Sequence, residues 1–163
     1  MKKAIIIILI ALVAVTSAFA FKFNSLGIEA GRGFYFSADM EIIDNLDAYA
    51  RLGFVDYVTA ACFNLSIGAQ YKVAELKIST TVFDVKPGLQ FGFNFADETF
   101  LFTLLGTCQF AFETGNFTAF VRPGLGFTTY PTYSYDAATY TYHKKTKLAF
   151  TGLIEAGVAY LFK

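Results

Sequence analysis

The chain has no tryptophan, one histidine and two cysteines, and charged side chains make up only 16% of it. Each scarcity narrows what it can do. With His143 as the only histidine and no Cys-x-x-Cys pair, a metal centre has little to build on. The absence of a Gly-x-Ser-x-Gly frame removes the usual nucleophile turn of a serine hydrolase. Thirteen basic residues against thirteen acidic ones give no excess of positive charge for a nucleic-acid partner. Beyond residue 20 no apolar run reaches 18 residues, so no transmembrane helix is expected there. Yet 55% of the chain is hydrophobic, unusually much for a soluble domain.

The first twenty residues account for part of that. Lys2 and Lys3 precede the apolar stretch Ala4 to Val15, and Thr16-Ser17-Ala18-Phe19-Ala20 closes it with a small-x-small pair. This pattern predicts a secretory signal peptide over residues 1–20, cleaved after Ala20. Its apolar stretch is too short for the roughly 20 residues of a membrane-spanning helix. No cysteine follows directly, so no lipoprotein anchor is expected. Residues 21–163, with 11 basic and 13 acidic side chains, suit one domain.

What that domain has in abundance is alternation. From Leu148 to Phe162 the even positions Leu148, Phe150, Gly152, Ile154, Ala156, Val158, Tyr160 and Phe162 share one face, and Glu155 falls on the other. The same period of two recurs in proposed strands at Leu26–Phe36, Leu46–Asp56, Ala61–Val73, Leu76–Phe83, Val85–Phe95, Phe100–Glu113 and from Phe117 onward. An acid-rich loop is expected around Asp39, Glu41 and Asp44. Alternation alone does not say which face points in; volume does. A lipocalin-like soluble barrel would need to hold Phe63, Phe91, Phe93, Phe95, Phe100, Phe102, Phe110, Phe112, Phe117, Phe127, Phe150 and Phe162 inside. An eight-stranded barrel has no room for them. The rings are therefore expected outside, against lipid, with Gly, Ser, Thr, Asn and Gln inside. This gives an all-β fold: a closed antiparallel up-and-down transmembrane β-barrel of about eight strands.

The ending Glu155-Ala156-Gly157-Val158-Ala159-Tyr160-Leu161-Phe162 resembles the C-terminal strand of bacterial outer-membrane proteins, with Lys163 added after the terminal aromatic. The domain as a whole resembles the small eight-stranded OmpA/OmpX/OmpW-type barrels. That resemblance implies a bacterial outer-membrane location, outer-membrane lipid as surroundings, and an assembly signal at Glu155, Gly157, Tyr160 and Phe162 read by the barrel-assembly machinery. It implies a monomer without cofactor.

Inward parity falls on Glu29, Arg51, Lys72, Lys77, Lys86, Arg122 and Glu155, and opposite charges in a closed lumen should pair. The expected lumen network is Glu29, Arg51, Lys86, Arg122 and Glu155, with Arg122 diagonal to Glu155. It predicts a blocked lumen, with a narrow path for small or apolar solutes as the alternative. Cys62 takes the polar face and Cys108 the lipid face, so no disulfide joins them. The repeated Val85-Lys86-Pro87-Gly88-Leu89 and Val121-Arg122-Pro123-Gly124-Leu125 predict a bulge or local twist at each Pro-Gly. Tyr133, Tyr135, Tyr140 and Tyr142 flank the turn Asp136-Ala137-Ala138-Thr139, pairing Tyr135 with Tyr140 and Tyr133 with Tyr142. Such a Tyr-rich extracellular hairpin fits either an interfacial girdle or an adhesion-like surface for an extracellular partner. A lipid-modifying enzyme would have to use His143 with Ser134 or Asp136, which lack a supporting frame, so no enzyme is expected.

Overall fold

The computed structural model describes residues 22–57, 60–96, 99–136 and 140–162. The expected signal peptide, residues 1–20, lies outside the described residues. Among the described residues nine strands follow one another: β1 (Lys22–Ala30), β2 (Gly33–Ile43), β3 (Leu46–Tyr57), β4 (Ala60–Tyr71), β5 (Ala74–Ile78), β6 (Thr81–Ala96), β7 (Thr99–Thr114), β8 (Phe117–Asp136) and β9 (Thr141–Leu161). Sequence neighbours pair antiparallel except β4 and β5; β4 pairs instead with β6, β5 pairs with β6 alone, and β1 pairs with β9. The sheet thus closes as an up-and-down barrel of eight strands, with β5 outside the closure as a short hairpin on the start of β6. Following opposed residues from Tyr160 through Leu26, Ala38, Ala50, Ile67, Phe91, Leu104 and Phe127 returns to β9 at Phe150, an offset of ten residues. At eight strands this stagger leaves an interior just wide enough for side chains.

Alternation sorts the faces as volume requires. The phenylalanines at 63, 91, 95, 100, 102, 110, 112, 117, 127, 150 and 162 are exposed on the outside. Arg51, Arg122, Glu29, Glu155, Gln90, Asn64, Asn94 and Ser66 are buried inside. Neither cysteine is in a disulfide; Cys62 is buried in the interior and Cys108 lies on the opposite parity.

The strand count agrees with the sequence reading through two offsetting errors. The proposed strand at Leu26–Phe36 is two wall strands, because Gly31 and Arg32 form a tight turn that Gly31 closes by donating its N–H to the Gly33 carbonyl. The expected acidic loop is therefore mostly β2, in which Asp39 points inward and accepts the Ser25 hydroxyl at 2.6 Å. The proposed strand Leu76–Phe83 is no wall strand: it spans β5, the Ser79-Thr80 turn and the start of β6. Ser79 takes φ 56° there, supplying the left-handed residue the sequence does not mark with glycine.

Neither Pro-Gly carries a bulge. Val85 accepts from the Val73 N–H, so Pro87, two residues on, faces the same flank. It falls where β6 leaves β4 at Gly88 and meets β5 at Val85, and its missing N–H costs no ladder bond. At Pro123 the β7–β8 ladder skips from Thr107↔Gly124 to Phe110↔Val121 without change of register. The last hairpin is shifted by two residues from the expected register. Tyr135 opposes Tyr142, Tyr133 opposes Lys144, and Tyr140 sits in the turn with φ 53°. A shift of two preserves every face.

Inside, large rings lie across glycines of neighbouring strands. Tyr49 opposes Gly68, and a Cβ on Gly68 would collide with its ring; a Cβ on Gly157 would stand 2.6 Å from Phe120 Cζ. Gly68→Val is expected to lower unfolding free energy in urea by about 1–3 kcal/mol. The outward Ala50→Val should change it by less than about 0.5 kcal/mol. Equal effects would show that this ring–glycine packing does not limit stability.

Candidate functional site: a charge cluster across the lumen

Four strands deliver four charges to one level of the interior. Arg122 on β8 lies directly opposite Glu155 on β9, not diagonal to it, as the two-residue shift requires. Closure of β1 on β9 sets Glu29 against Gly157, one step along from Glu155 on the same face. Arg51 reaches in from β3. Glu29 Oε2 accepts from Arg51 Nη1 at 3.0 Å and from Arg122 Nη1 at 2.9 Å. Glu155 Oε2 lies 2.5 Å from Arg51 Nη1 and 3.7 Å from Arg122 Nη1.

The cluster is neutral and dry: each of the four side chains is at most 2% exposed. Aromatic faces and an amide complete it. The Arg51 guanidinium sits 4.4 Å from the Tyr35 ring centre, and that of Arg122 sits 4.4 Å from Tyr49 and 4.8 Å from Phe120. Gln109 Oε1 accepts from Arg122 Nε at 3.1 Å and Nη2 at 2.6 Å. Together these groups leave the cross-section filled by paired charge.

On the side of the cluster toward the β3–β4 and β6–β7 turns, the interior is closed by hydrogen-bonded polar groups. Asn64 donates to Asn94 at 2.7 Å, Ser66 donates to Asn64 at 2.7 Å, and Thr103 and Thr128 share a bond of 2.8 Å. Tyr49, whose ring backs Arg122, donates its hydroxyl to Gln90 at 3.0 Å. On the other side, toward the chain termini, a cavity of about 560 Å³ opens. Lys86 belongs to this cavity and not to the cluster, pairing with Asp47 at 3.0 Å and standing 3.8 Å from Asp84. Lys77 is on β5, exposed and outside the wall. Lys72, on the link from β4 to β5, donates to Glu75 at 2.5 Å; this bond raises the Lys72 pKa and lowers that of Glu75.

Parity thus found Glu29, Arg51, Arg122 and Glu155, and put Lys86 on the inward face though it pairs outside the cluster; it misplaced Lys77. It does not reach Asp39, which lies in the stretch expected as an acidic loop, and it gives no sign that Tyr35, Tyr49 and Phe120 back the guanidinium groups. Of the C-terminal motif, Glu155 points inward, Gly157 lies under Phe120, and Tyr160 and Phe162 face outward 5.3 Å apart. Tyr135 and Tyr140 are exposed, while the side chains of Tyr133, Tyr142, His143 and Asp136 lie outside the described residues, as do residues 137–139. Comparison with protein-family models, with curated proteins and with solved structures gives no match.

A cluster with two charges of each sign tolerates loss of a pair better than loss of one member. Arg122→Met leaves two carboxylates on one arginine and is expected to cost about 3–5 kcal/mol of unfolding free energy in urea. Adding Glu29→Gln to that variant should recover a large part of the loss, read as a coupling in a double-mutant cycle. An Arg122→Met chain as stable as the parent would show that the cluster is not the interior's structural anchor.

Proposed function

We propose that the chain is an integral outer-membrane barrel with a blocked lumen, which acts structurally and through the long β8–β9 hairpin as a surface for an extracellular partner. The observation that carries the membrane reading is the outer surface. Phe34, Phe54, Phe63, Phe95 and Phe100 form an unbroken cross-strand row over five strands, all exposed. Near the other end, Phe23, Phe162, Tyr160 and Phe117 touch in sequence at 5.3–5.5 Å, and Phe83 meets Phe112 at 4.9 Å. On β7 the two belts are marked by Phe100 and Phe112. The strand between them spans roughly 40 Å, or about 30 Å along the axis at a typical barrel tilt. Aromatic girdles bracketing an apolar band of that height suit a bilayer, and water would not.

Two features support the rest. Arg51 and Arg122, locked to Glu29 and Glu155, stand across any route for ions or solutes. The β8–β9 ladder continues to Asp136↔Thr141, whereas β8 is paired with β7 only as far as Thr128 and β9 with β1 only from Ala156. The hairpin therefore extends past its neighbours, with Tyr135 and Tyr140 exposed near its tip, and tyrosine provides amphipathic contact area suited to a protein partner.

Fractionation with heated and unheated electrophoresis tests the membrane reading: the chain should remain with outer membranes and migrate differently after boiling. Recovery in the aqueous fraction without detergent would falsify it. In planar bilayers the parent should give no steady conductance; steady current that Arg122→Ala alters would defeat the blocked lumen. Deleting residues 132–142 should leave the barrel assembled while abolishing binding of a partner captured by the parent, and binding that survives the deletion rules out the hairpin as the contact.

A further inference from the structure

The cavity at the terminus end has a charge and hydrogen-bond pattern that the cluster does not explain. Six carboxylates line it: Asp39, Glu41, Asp47, Glu75, Asp84 and Glu113. Three lysines face them. Lys22 pairs with Glu41 at 3.4 Å, Lys72 with Glu75, and Lys86 with Asp47 and, at 3.8 Å, with Asp84 Oδ2, so carboxylates outnumber lysines six to three in the lining of one hollow.

The independent sign of a ligand is a set of acceptors without donors. Gln70 Oε1, Asp84 Oδ1 and Thr118 Oγ1 line the same cavity, are buried and have no hydrogen-bond partner. Their residues are only 2%, 3% and 8% exposed. A buried acceptor without a partner costs about 1–3 kcal/mol, more when charged. A ligand that supplies N–H donors and positive charge would relieve all three.

The wall also narrows the class of cation. Among the described residues no group of three metal-binding side chains gathers closely enough to hold a metal ion. The carboxylates instead alternate with apolar surface from Val82, Ala111 and Phe120, against which methylene groups can pack. Spaced acceptors separated by apolar wall match ammonium groups separated by a hydrocarbon stem. At the floor, Gln109 is already committed to Arg122, so the contacts lie along the wall. We propose that this vestibule binds an aliphatic polyamine, with ammonium groups donating to Asp84 and Gln70. The inference does not rest on the membrane reading, since it concerns the interior alone.

Calorimetric titration of the full chain with spermidine, at fixed ionic strength, tests it. Saturable one-to-one binding is expected, weakened about tenfold by Asp84→Asn, since a hydrogen bond to a charged group is worth about that factor. Asp44→Asn, in the exposed β2–β3 turn outside the cavity, should bind like the parent. Should Asp84→Asn fail to assemble, Gln70→Met, which removes the acceptor at similar length, takes its place and should weaken binding severalfold. No saturable binding overturns the proposal, as does an equal loss in Asp44→Asn, which would mark general charge attraction. Magnesium chloride that binds as tightly, with the same dependence on Asp84, overturns the polyamine assignment.

Discussion

Closure of eight strands with an offset of ten residues leaves an interior only as wide as the side chains that fill it. Most else in this molecule follows from that width. Rings cannot accumulate inside, so alternation sends them out; where Tyr35, Tyr49 and Phe120 do point inward, each lies beside a glycine whose missing Cβ makes the space. The interior is then left to short polar groups and to charges that must neutralise one another. A wider barrel would hydrate its charges with a water column; this one has to pair them.

Pairing is achieved across strands remote in sequence. Glu29 and Arg122 are 93 residues apart and meet because β1 closes on β9 while β8 lies on the other side of β9. The cluster thus joins the first, third, eighth and ninth strands at the seam where the chain's ends come together. Its neutrality matters as much as its contacts, since a buried charge without a partner is far costlier than a pair is favourable. The same rule, applied to the cavity on the terminus side, gives the opposite result: there the carboxylates outnumber the lysines, and buried acceptors remain open. One interior therefore holds a region whose charges balance and a region whose charges do not.

The two hairpins that depart from the wall do so at opposite ends. β5 folds back onto β6 at the terminus end, and its link brings Lys72 and Glu75 to the mouth of the acidic cavity. The β8–β9 hairpin leaves at the far end, where the low β1–β2 turn ends the β1 ladder at Ala156 and leaves β9 paired with β8 alone. Pro131 lies beyond the last β7–β8 pair, where a missing N–H interrupts no ladder and discourages strand addition.

Alternation together with ring volume determined the all-β fold class, the outward rings and the identities of Glu29, Arg51, Arg122 and Glu155 as interior charges. A strand's period of two survives any shift of two residues, so those assignments do not depend on the register of the last hairpin. Turn positions were less legible. Gly31-Arg32 interrupts an apolar face by only two residues and reads as a blemish in one strand, while Ser79 adopts a left-handed conformation that its residue type does not announce. Only the closed structure decided which interior charges meet. Partnership depends on stagger around the barrel, a property of all eight pairings together, and no single strand carries it. That is why Lys86, on the expected face, belongs with Asp47 and Asp84 and not with the arginines, and why the acidic vestibule emerges only when the ends of the wall are brought into one ring.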